Sequence, residues 1–167
     1  MTGRIQAFAP VAGEDARVLI LGSMPSVASL QQGFYYGHPR NAFWRILSDV
    51  YGVSVPATID DKKAMLIEHR IALWDVLESC EREGSLDSAI RSPRLNDFNA
   101  LFKRCRSIER VLLNGGTAWR LFEANGLAAS CGRRCMRMPS TSPAYTIQYE
   151  RKLALWRHAL LESHESV

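Results

Sequence analysis

The chain alternates short apolar runs with segments of helical periodicity, and this alternation constrains its fold more than any other feature. The apolar runs cover residues 17–21, 71–76, 108–113 and 135–138, and each has the length of a strand buried on both faces. Strands that are separated by helices pair in parallel through right-handed crossovers. The pattern therefore predicts a three-layer α/β/α domain with a four-stranded parallel sheet.

The segments between these runs carry signals for helix starts and ends. Asn41 precedes apolar residues at helical spacing and Gly52 follows them, so a helix is predicted between the two. Further helices are predicted over residues 58–69, 97–105, 117–125 and 146–162. The polar stretch 78–96 shows little periodicity and is predicted to be a long loop.

Composition indicates one compact domain with a polyanionic partner. The 167 residues are 47% hydrophobic and 23% charged, which suits a single domain over residues 1–167 with a full-sized core. The net charge of +4 favours a polyanionic partner such as nucleic acid. The sequence has neither a membrane-length apolar run nor a signal-peptide pattern, so we expect a cytoplasmic protein without a membrane partner.

The cysteine pattern does not suggest a metal site. The four cysteines are Cys80, Cys105, Cys131 and Cys135. In a reducing compartment they are expected to be free thiols. Zinc and iron–sulfur sites normally contain a close C-x-x-C pair, which this sequence lacks. We therefore predict no metal.

Polar or small residues stand at the ends of all four predicted strands. Gly22 follows the first strand, Asp75 lies near the end of the second, Asn114 follows the third and Ser140 follows the fourth. The carboxyl ends of parallel strands share one edge of a sheet, where ligands bind in open α/β folds. We therefore expect these residues to converge at that edge, together with Asn41 from the loop after the first strand.

Several common reaction classes lack their motifs in this chain. It contains no G-x-G-x-x-G for a dinucleotide, no G-x-x-x-x-G-K-[ST] for a nucleoside triphosphate and no G-x-S-x-G nucleophile elbow. What remains is a polar, largely uncharged crevice beside the aromatic residues 34–36, with a basic rim. Such a pocket suits a flipped nucleobase, because aromatic faces stack on the base while amides contact its edge.

Three segments of the chain form a distinctive set of motifs: Gly-Ser-Met-Pro-Ser at 22–26, His-Pro-Arg-Asn-Ala-Phe-Trp at 38–44 and Pro-Ser-Thr-Ser-Pro-Ala at 139–144. Together they resemble the hypoxanthine (deoxyinosine) DNA glycosylase family of the uracil-DNA glycosylase superfamily. Leu-Trp-Asp-Val at 73–76 and Leu-Asn-Gly-Gly at 113–116 fit the same family at the expected places. The resemblance therefore spans almost the whole chain.

This resemblance implies a uracil-DNA glycosylase-like fold and an enzyme that acts on DNA. The enzyme would be a monofunctional, monomeric glycosylase that removes deaminated purines, hypoxanthine above all, without a metal, another cofactor or a covalent intermediate. Met24 departs from the mismatch-specific relatives, which carry a catalytic Asn there. Ser140 stands where uracil-specific enzymes carry His, which weakens the expectation of strong uracil excision. We expect His38 to form a hydrogen bond within its own loop rather than replace that histidine.

Two asparagines are the candidate catalytic residues implied by the resemblance. Asn41 would hold a water beneath C1′ of the flipped nucleoside. Its alternative role, compatible with the first, is to cap the helix that follows it. Asn114 would hydrogen-bond the leaving purine, or it is a turn residue before two glycines.

Two further groups of residues complete the predicted site. Base contacts are expected from Gly22, Ser23, Met24, Phe34, Tyr35, Tyr36 and Asp75. One of the three aromatics is expected to be a core residue instead, and Asp75 either contacts the base edge or holds a loop. DNA contacts are expected from Ser26, Arg40, Ser140, Thr141, Ser142 and Tyr145, with Tyr145 as the wedge that fills the gap after flipping. A basic rim on the DNA backbone is expected from Arg133, Arg134, Arg137, Arg151 and Lys152.

Two other functions remain open from the sequence. One is a mismatch-type uracil-DNA glycosylase, which would cleave uracil and not inosine. The other is a catalytically silent module that binds damaged DNA on the same scaffold, and the missing Asn at Met24 favours it. Assays with defined lesions separate all three functions.

Overall fold

The computed structural model describes residues 3–162, which form two sheets and a set of surrounding helices. The strands are β1 (Ile5–Gln6), β2 (Val18–Gly22), β3 (Ile71–Asp75), β4 (Leu77–Glu81), β5 (Arg91–Leu95), β6 (Arg110–Asn114) and β7 (Arg134–Met138). The helices are α1 (Val27–Gln32), α2 (Phe43–Tyr51), α3 (Ile59–Glu68), α4 (Phe98–Arg104), α5 (Gly116–Ala124), α6 (Leu127–Ser130) and α7 (Tyr149–Leu161). None of these helices is both long and apolar enough to cross a membrane.

The four-stranded parallel sheet confirms the predicted fold class. Its order is β3-β2-β6-β7, and every neighbouring pair is parallel. The central strand β2 is buried along its whole length, because the apolar faces of helices cover both sides of the sheet. Gly22 aligns with Asp75, and Asn114 aligns with Met138, so the carboxyl ends of the strands lie along one edge.

The predicted helices form close to the expected positions. α2 ends at Gly52, whose φ of 66° is in the left-handed region that glycine adopts most easily. Thr58 caps α3, because its side chain accepts a hydrogen bond from the backbone N–H of Asp61. The last helix begins at Tyr149, three residues later than predicted.

The prediction of a long loop over residues 78–96 is wrong. β4 and β5 lie in this stretch and form an antiparallel sheet with β1, in the order β1-β4-β5. The pairing of β4 with β5 shifts register twice, which breaks the alternation of apolar and polar residues that marks a strand. Ser79 is fully buried although it is polar, so the sequence pattern is further obscured.

A short helix also replaces part of the predicted loop after the first strand. Ser26 is the N-cap of α1, where its side chain accepts a hydrogen bond from the backbone N–H of Ser29. Gly33 ends the helix with a φ of 79°. At six residues, α1 is too short for its periodicity to stand out in the sequence.

Candidate active site

A cavity of about 470 Å³ opens at the carboxyl edge of the parallel sheet. Gly22, Asp75 and Asn114 line it from three strand ends, and Ser140 lines it from the loop after the fourth strand. Asn41 contributes from the loop before α2. The convergence predicted from the topology is therefore present. The cavity volume is within the range of about 300–1,000 Å³ that is typical of small-ligand sites.

Gly22 allows two polar side chains to meet at the floor of the cavity. A Cβ atom at this position would lie 2.6 Å from Oδ1 of Asp75 and 2.8 Å from the hydroxyl oxygen of Tyr36. Both distances are too short for a side chain, so only glycine permits this approach. The carboxyl of Asp75 and the phenol of Tyr36 consequently occupy the same small volume.

The environment of this floor disfavours negative charge. Asp75 is 3% exposed, and its burial raises the pKa of the carboxyl to about 7, with Asp87 adding to the rise and Arg82 opposing it. Burial and the Asp75 carboxyl also raise the pKa of the Tyr36 phenol. Oδ2 of Asp75 is buried without a hydrogen-bond partner in the described part of the chain. The Tyr36 hydroxyl is also buried, and the Asn114 side chain next to it opposes the rise in the pKa of the phenol.

Tyr36 is the aromatic residue best placed to contact a base. Its ring stacks on Phe43, with 4.2 Å between ring centroids and an interplanar angle of 28°. Its φ of 54° is in the left-handed region, which costs a bulky residue about 1–3 kcal/mol. Such strain is concentrated at functional sites, where the surrounding structure maintains it.

The other two predicted aromatic contacts have different environments. Phe34 is 5% exposed, packs in parallel with Trp44 at 6.0 Å and does not line the cavity. Its contact with the base stays a prediction that this position does not favour, because Phe34 is packed in the core. Tyr35 does line the cavity, but it is buried and its hydroxyl donates to the carbonyl of Ala9 over 2.6 Å.

Asn41 both supports its helix and borders the cavity. Its Oδ1 accepts a hydrogen bond from the backbone N–H of Phe43 at 3.0 Å, although Ala42 is the N-cap residue. Its Nδ2 has no partner among residues 3–162, so this donor is available to a ligand or water. His38 accepts a hydrogen bond from the backbone N–H of Arg40 within the same loop, as expected. Arg40 itself is exposed and does not line the cavity.

Asn114 connects the end of β6 to the loop that follows β7. Its Nδ2 donates to Oγ1 of Thr141 at 3.0 Å, and its Oδ1 accepts from the backbone N–H of Thr141 at 3.0 Å. Thr141 is 1% exposed, so this structure does not present it to DNA, and its predicted DNA contact stays a prediction. It positions Asn114 instead. The Asn114 side chain also lines the cavity and lies within hydrogen-bonding reach of the Tyr36 hydroxyl, an interaction that lowers the pKa of that phenol.

Local hydrogen bonds hold the loop over residues 139–144 in place. Ser140 Oγ accepts from the backbone N–H of Ser142 at 3.1 Å, and Ser142 Oγ accepts from that of Ala144 at 3.2 Å. Lys152 donates to the carbonyl of Ser142 at 3.1 Å. Lys152 is 5% exposed, and burial lowers the pKa of its ammonium, so its placement on a basic rim is wrong.

The first glycine-serine segment supplies the opposite wall of the cavity. Ser23 Oγ donates to Oδ1 of Asp87 at 2.8 Å, and Ser26 is committed to the N-cap of α1. Met24 is 8% exposed and lines the cavity with an apolar thioether, so no amide is present at this position. The wall consequently offers shape and small hydroxyls rather than a catalytic side chain.

A groove of about 810 Å³ adjoins the cavity along the first turn of α5. Residues shared by the two are Asp87, Asn114, Ser140, Ser142 and Ala144. Arg120 and Arg137 line the groove with Tyr145, which is 43% exposed. The groove thus offers two cations and an aromatic surface next to the cavity, and the carboxylates of Asp87 and Glu123 line it as well.

Two arginines of the predicted rim lie elsewhere. Arg134 begins β7, at the opposite edge of the sheet, and its guanidinium bonds Glu162. Arg133 stacks 3.8 Å over the ring of Phe102 and donates to the carbonyl of Ile108. The prediction of a continuous basic rim is therefore wrong for these two residues. Arg133 and Arg134 lie at the start of β7, a full strand length away from the end of β7 that borders the cavity.

One wall of the cavity was not predicted from the sequence. It consists of Ser85, Leu86, Asp87 and Ser88. These residues follow β4, in the stretch predicted as a loop without a role. The Gly84 that precedes them marks a turn, but nothing in the local composition distinguishes a turn at a ligand site from any other.

Comparison with known proteins assigns the chain to a family. The sequence profile of the uracil DNA glycosylase superfamily matches residues 10–162. The chain belongs to this superfamily. A hypoxanthine DNA glycosylase from Methanosarcina acetivorans is 36% identical over 140 residues, covering 83% of this chain and 87% of the relative. A hypoxanthine DNA glycosylase from Methanosarcina barkeri is 37% identical over 111 residues, covering 66% of this chain and 70% of the relative.

A solved structure supports the same assignment for this superfamily member. The solution NMR structure of a candidate uracil DNA glycosylase from Methanosarcina acetivorans matches with a TM-score of 0.82 and 31% identity. The match covers 95% of this chain and 97% of the other. The superfamily fold therefore extends through both sheets and is not limited to the motifs.

Proposed function

We propose that this superfamily member is a monofunctional DNA glycosylase that removes deaminated purines from DNA, hypoxanthine above all and xanthine as a lesser substrate. The observation that carries the proposal is the single cavity in which the amides of Asn41 and Asn114 meet the ring of Tyr36 and the carboxyl of Asp75. The relatives named hypoxanthine DNA glycosylases support the choice of base. A base can enter this cavity only after it flips out of the duplex.

Hydrolysis in this cavity relies on positioning rather than on a strong base. The free Nδ2 of Asn41 would hold a water beneath C1′. As the C1′–N9 bond breaks, its electron pair leaves with the purine and the sugar becomes oxocarbenium-like. The water adds its oxygen to C1′, and its proton neutralises the departing base. Asn114 would contact that base with its side-chain amide.

The groove beside the cavity suits the DNA strand on either side of the flipped nucleotide. Arg120 and Arg137 would neutralise phosphates, and Arg40 would contact the backbone beside the cavity. Ser140 and Ser142 would contribute the faces of their hydroxyls that remain free. Tyr145 is placed to contact a neighbouring base.

A base-release assay tests the proposed substrate. Duplexes that carry one inosine, xanthosine or uracil are incubated with the protein, and the released base and the abasic site are both quantified. We expect free hypoxanthine as the main product, with less xanthine. Cleavage of uracil without any cleavage of inosine would instead identify a mismatch-type uracil glycosylase.

Substitutions at Asn41 distinguish an enzyme from a catalytically silent binding module. The apolar Met24 is the feature that favours the binding module. Asn41→Ala removes both the helix contact and the amide. Asn41→Asp keeps an oxygen acceptor for the N–H of Phe43 and removes the amide donor. We expect both variants to bind inosine duplexes but to release hypoxanthine at least about 100-fold more slowly, with Asn41→Asp as stable as wild type. Wild-type protein that binds lesions and releases no base would be a binding module.

A further inference from the structure

The floor of the cavity presents a buried polar atom that lacks a partner in residues 3–162. Oδ2 of Asp75 makes no hydrogen bond there. Such atoms are rare in folded proteins, because an unpaired buried polar group costs free energy. Asp75 lines the cavity that would hold the flipped base. The missing partner of its carboxyl is therefore expected to be part of the ligand.

We propose that the Asp75 carboxyl is protonated and neutral when it binds the flipped purine, and that it makes two hydrogen bonds to the lactam edge of the base. Its O–H would donate to O6 and its carbonyl oxygen would accept the N1–H. Hypoxanthine and xanthine both present this pair of groups. An ionised carboxylate would accept the N1–H but repel O6. This inference rests on the proposed function and specifies how the base is recognised.

The surroundings of Asp75 favour the neutral form. The titratable and charged groups around it are Asp87 and Arg82 after β4, and Tyr35, Tyr36 and His38 in the loop after α1. Burial is the largest influence, and Asp87 opposes ionisation further. Arg82 favours ionisation, but its guanidinium is also committed to the carbonyls of Pro25 and Gly84. The two phenols remain neutral, because burial raises the pKa of each.

The same contact would assist bond cleavage. The electron pair of the C1′–N9 bond moves into the purine, and part of the negative charge reaches O6. A hydrogen bond from the Asp75 O–H to O6 then becomes stronger than it was in the bound substrate, which lowers the barrier. Asp75 keeps its proton throughout, because the attacking water supplies the proton that the departing base acquires.

The pH profile of hypoxanthine release tests this role. Single-turnover rates on an inosine duplex are measured from pH 5 to pH 9 for wild type, Asp75→Asn and the control Asp60→Asn, which changes an exposed acid on α3. We expect the wild-type rate to fall as pH rises above about 7, approaching tenfold per pH unit. Asp75→Asn should stay within about tenfold of wild type at pH 6 with no fall, because its amide offers one donor and one acceptor without titrating. Asp60→Asn should follow wild type.

The contrary outcomes are distinct. A wild-type rate that rises with pH, combined with an inactive Asp75→Asn, would show that an ionised Asp75 acts as a base. A flat wild-type profile would also overturn the proposal, and it requires no variant to fold. Release of no hypoxanthine at any pH would overturn the proposed function itself and this role with it.

A separate observation concerns the opening of the cavity, where Leu86 is 68% exposed. The residues on both sides of it are anchored. The backbone N–H of Val27 donates to Ser85 Oγ at 2.8 Å, and Asp87 Oδ1 accepts from Ser23 Oγ at 2.8 Å. An apolar side chain is thus held in solvent, directly at the entrance to the site.

We infer that Leu86 enters the base stack at the position left by the flipped nucleotide, if the proposed function holds. Apolar side chains of this kind insert between base steps in many DNA-binding proteins. Tyr145, predicted from the sequence as the wedge, lines the adjacent groove rather than the cavity. The Nζ of the buried Lys152 lies 5.4 Å from its ring. The geometry therefore favours Leu86 over Tyr145.

Fluorescence of 2-aminopurine placed beside the inosine reports unstacking directly. Leu86→Ala is compared with Tyr145→Ala and with the control Leu161→Ala. Leu161 is an exposed residue at the end of α7, next to Glu162, which binds Arg134 at the far edge of the sheet. We expect Leu86→Ala to bind the duplex within about threefold of wild type but to lose most of the fluorescence rise and at least about tenfold in hypoxanthine release. Leu161→Ala should behave as wild type. An unchanged Leu86→Ala, or the same loss in Tyr145→Ala alone, would overturn the inference.

Discussion

The burial of Asp75 would favour ligand recognition, but it lowers the free energy of unfolding as pH rises. Its carboxyl has an ordinary pKa of 3.8 and a pKa of about 7 in the folded chain, because burial and Asp87 outweigh Arg82. Between these two values the unfolded chain has released the proton and the folded chain has not. The free energy of unfolding therefore falls as pH rises through this interval. A residue that serves only stability would not be placed in this way.

We predict that Asp75→Asn removes this pH dependence. Relative to wild type, the variant should gain up to about 4 kcal/mol in the free energy of unfolding between pH 4 and pH 8, because its amide does not ionise. Urea denaturation of both proteins at the two pH values measures the difference. Asp60→Asn, at an exposed site, should show almost none of it. An equal response in the two variants would contradict the burial argument.

At the scale of elements, the pair Asn114 and Thr141 connects the segments that form the cavity wall. Asn114 ends β6, Thr141 follows β7, and two hydrogen bonds of 3.0 Å connect them. The backbone N–H of Ala42 also donates to the carbonyl of Thr141 at 3.0 Å. The loop after β7, the end of β6 and the start of α2 are consequently held in one arrangement around the candidate catalytic amides.

Thr141→Val tests this connection between elements. The substitution keeps the shape of the side chain and removes the hydroxyl that accepts from Asn114. We expect a loss of about 1 kcal/mol in the free energy of unfolding, because a partly buried amide N–H loses its partner. Hypoxanthine release should fall as well, since Asn114 is no longer held. Thr141→Ser keeps the hydroxyl and should restore both properties; failure of this rescue would show that the methyl group, and not the hydrogen bond, matters.

Element by element, the sequence predicted the parallel sheet and missed the antiparallel one. The four core strands are short, apolar and bounded by small residues, so their pattern is local. β4 and β5 contain polar residues and register shifts, and they become strands only because β1 and each other are available as partners. Because β4 and β5 were not predicted, the cavity wall that contains Leu86 and Asp87 was not predicted either.

At the scale of the whole molecule, a few arginines near the cavity are the cations placed to meet DNA phosphates, although Asp87 and Glu123 line the same groove. The net charge is only +4, yet Arg120 and Arg137 border the groove beside the cavity and Arg40 is exposed beside it. Arg134 lies at the far edge and is paired with Glu162. DNA binding should thus depend on a few cations near the cavity rather than on the total charge.

The salt dependence of binding measures this distribution. We expect Arg137→Gln to weaken binding to all duplexes and to reduce the slope of log Kd against log salt by about 1, because one phosphate contact is lost. Arg134→Gln is the matched control and should leave the slope unchanged. Fluorescence anisotropy over a series of salt concentrations gives both slopes. Equal slopes for Arg137→Gln and wild type would place the DNA strand outside the groove.

Local apolar patterns and small residues at strand ends specify the sheet, its helices and the edge at which a site would form, so these features can be predicted from the sequence. What each side chain does there follows from the tertiary structure. It assigned Phe34 to the core, Thr141 to positioning Asn114, and Arg133 and Arg134 to the far edge. It also brought Asp75 against Tyr36 across Gly22. Burial and hydrogen-bond partners depend on which distant segments meet, and a sequence pattern carries no record of those distances.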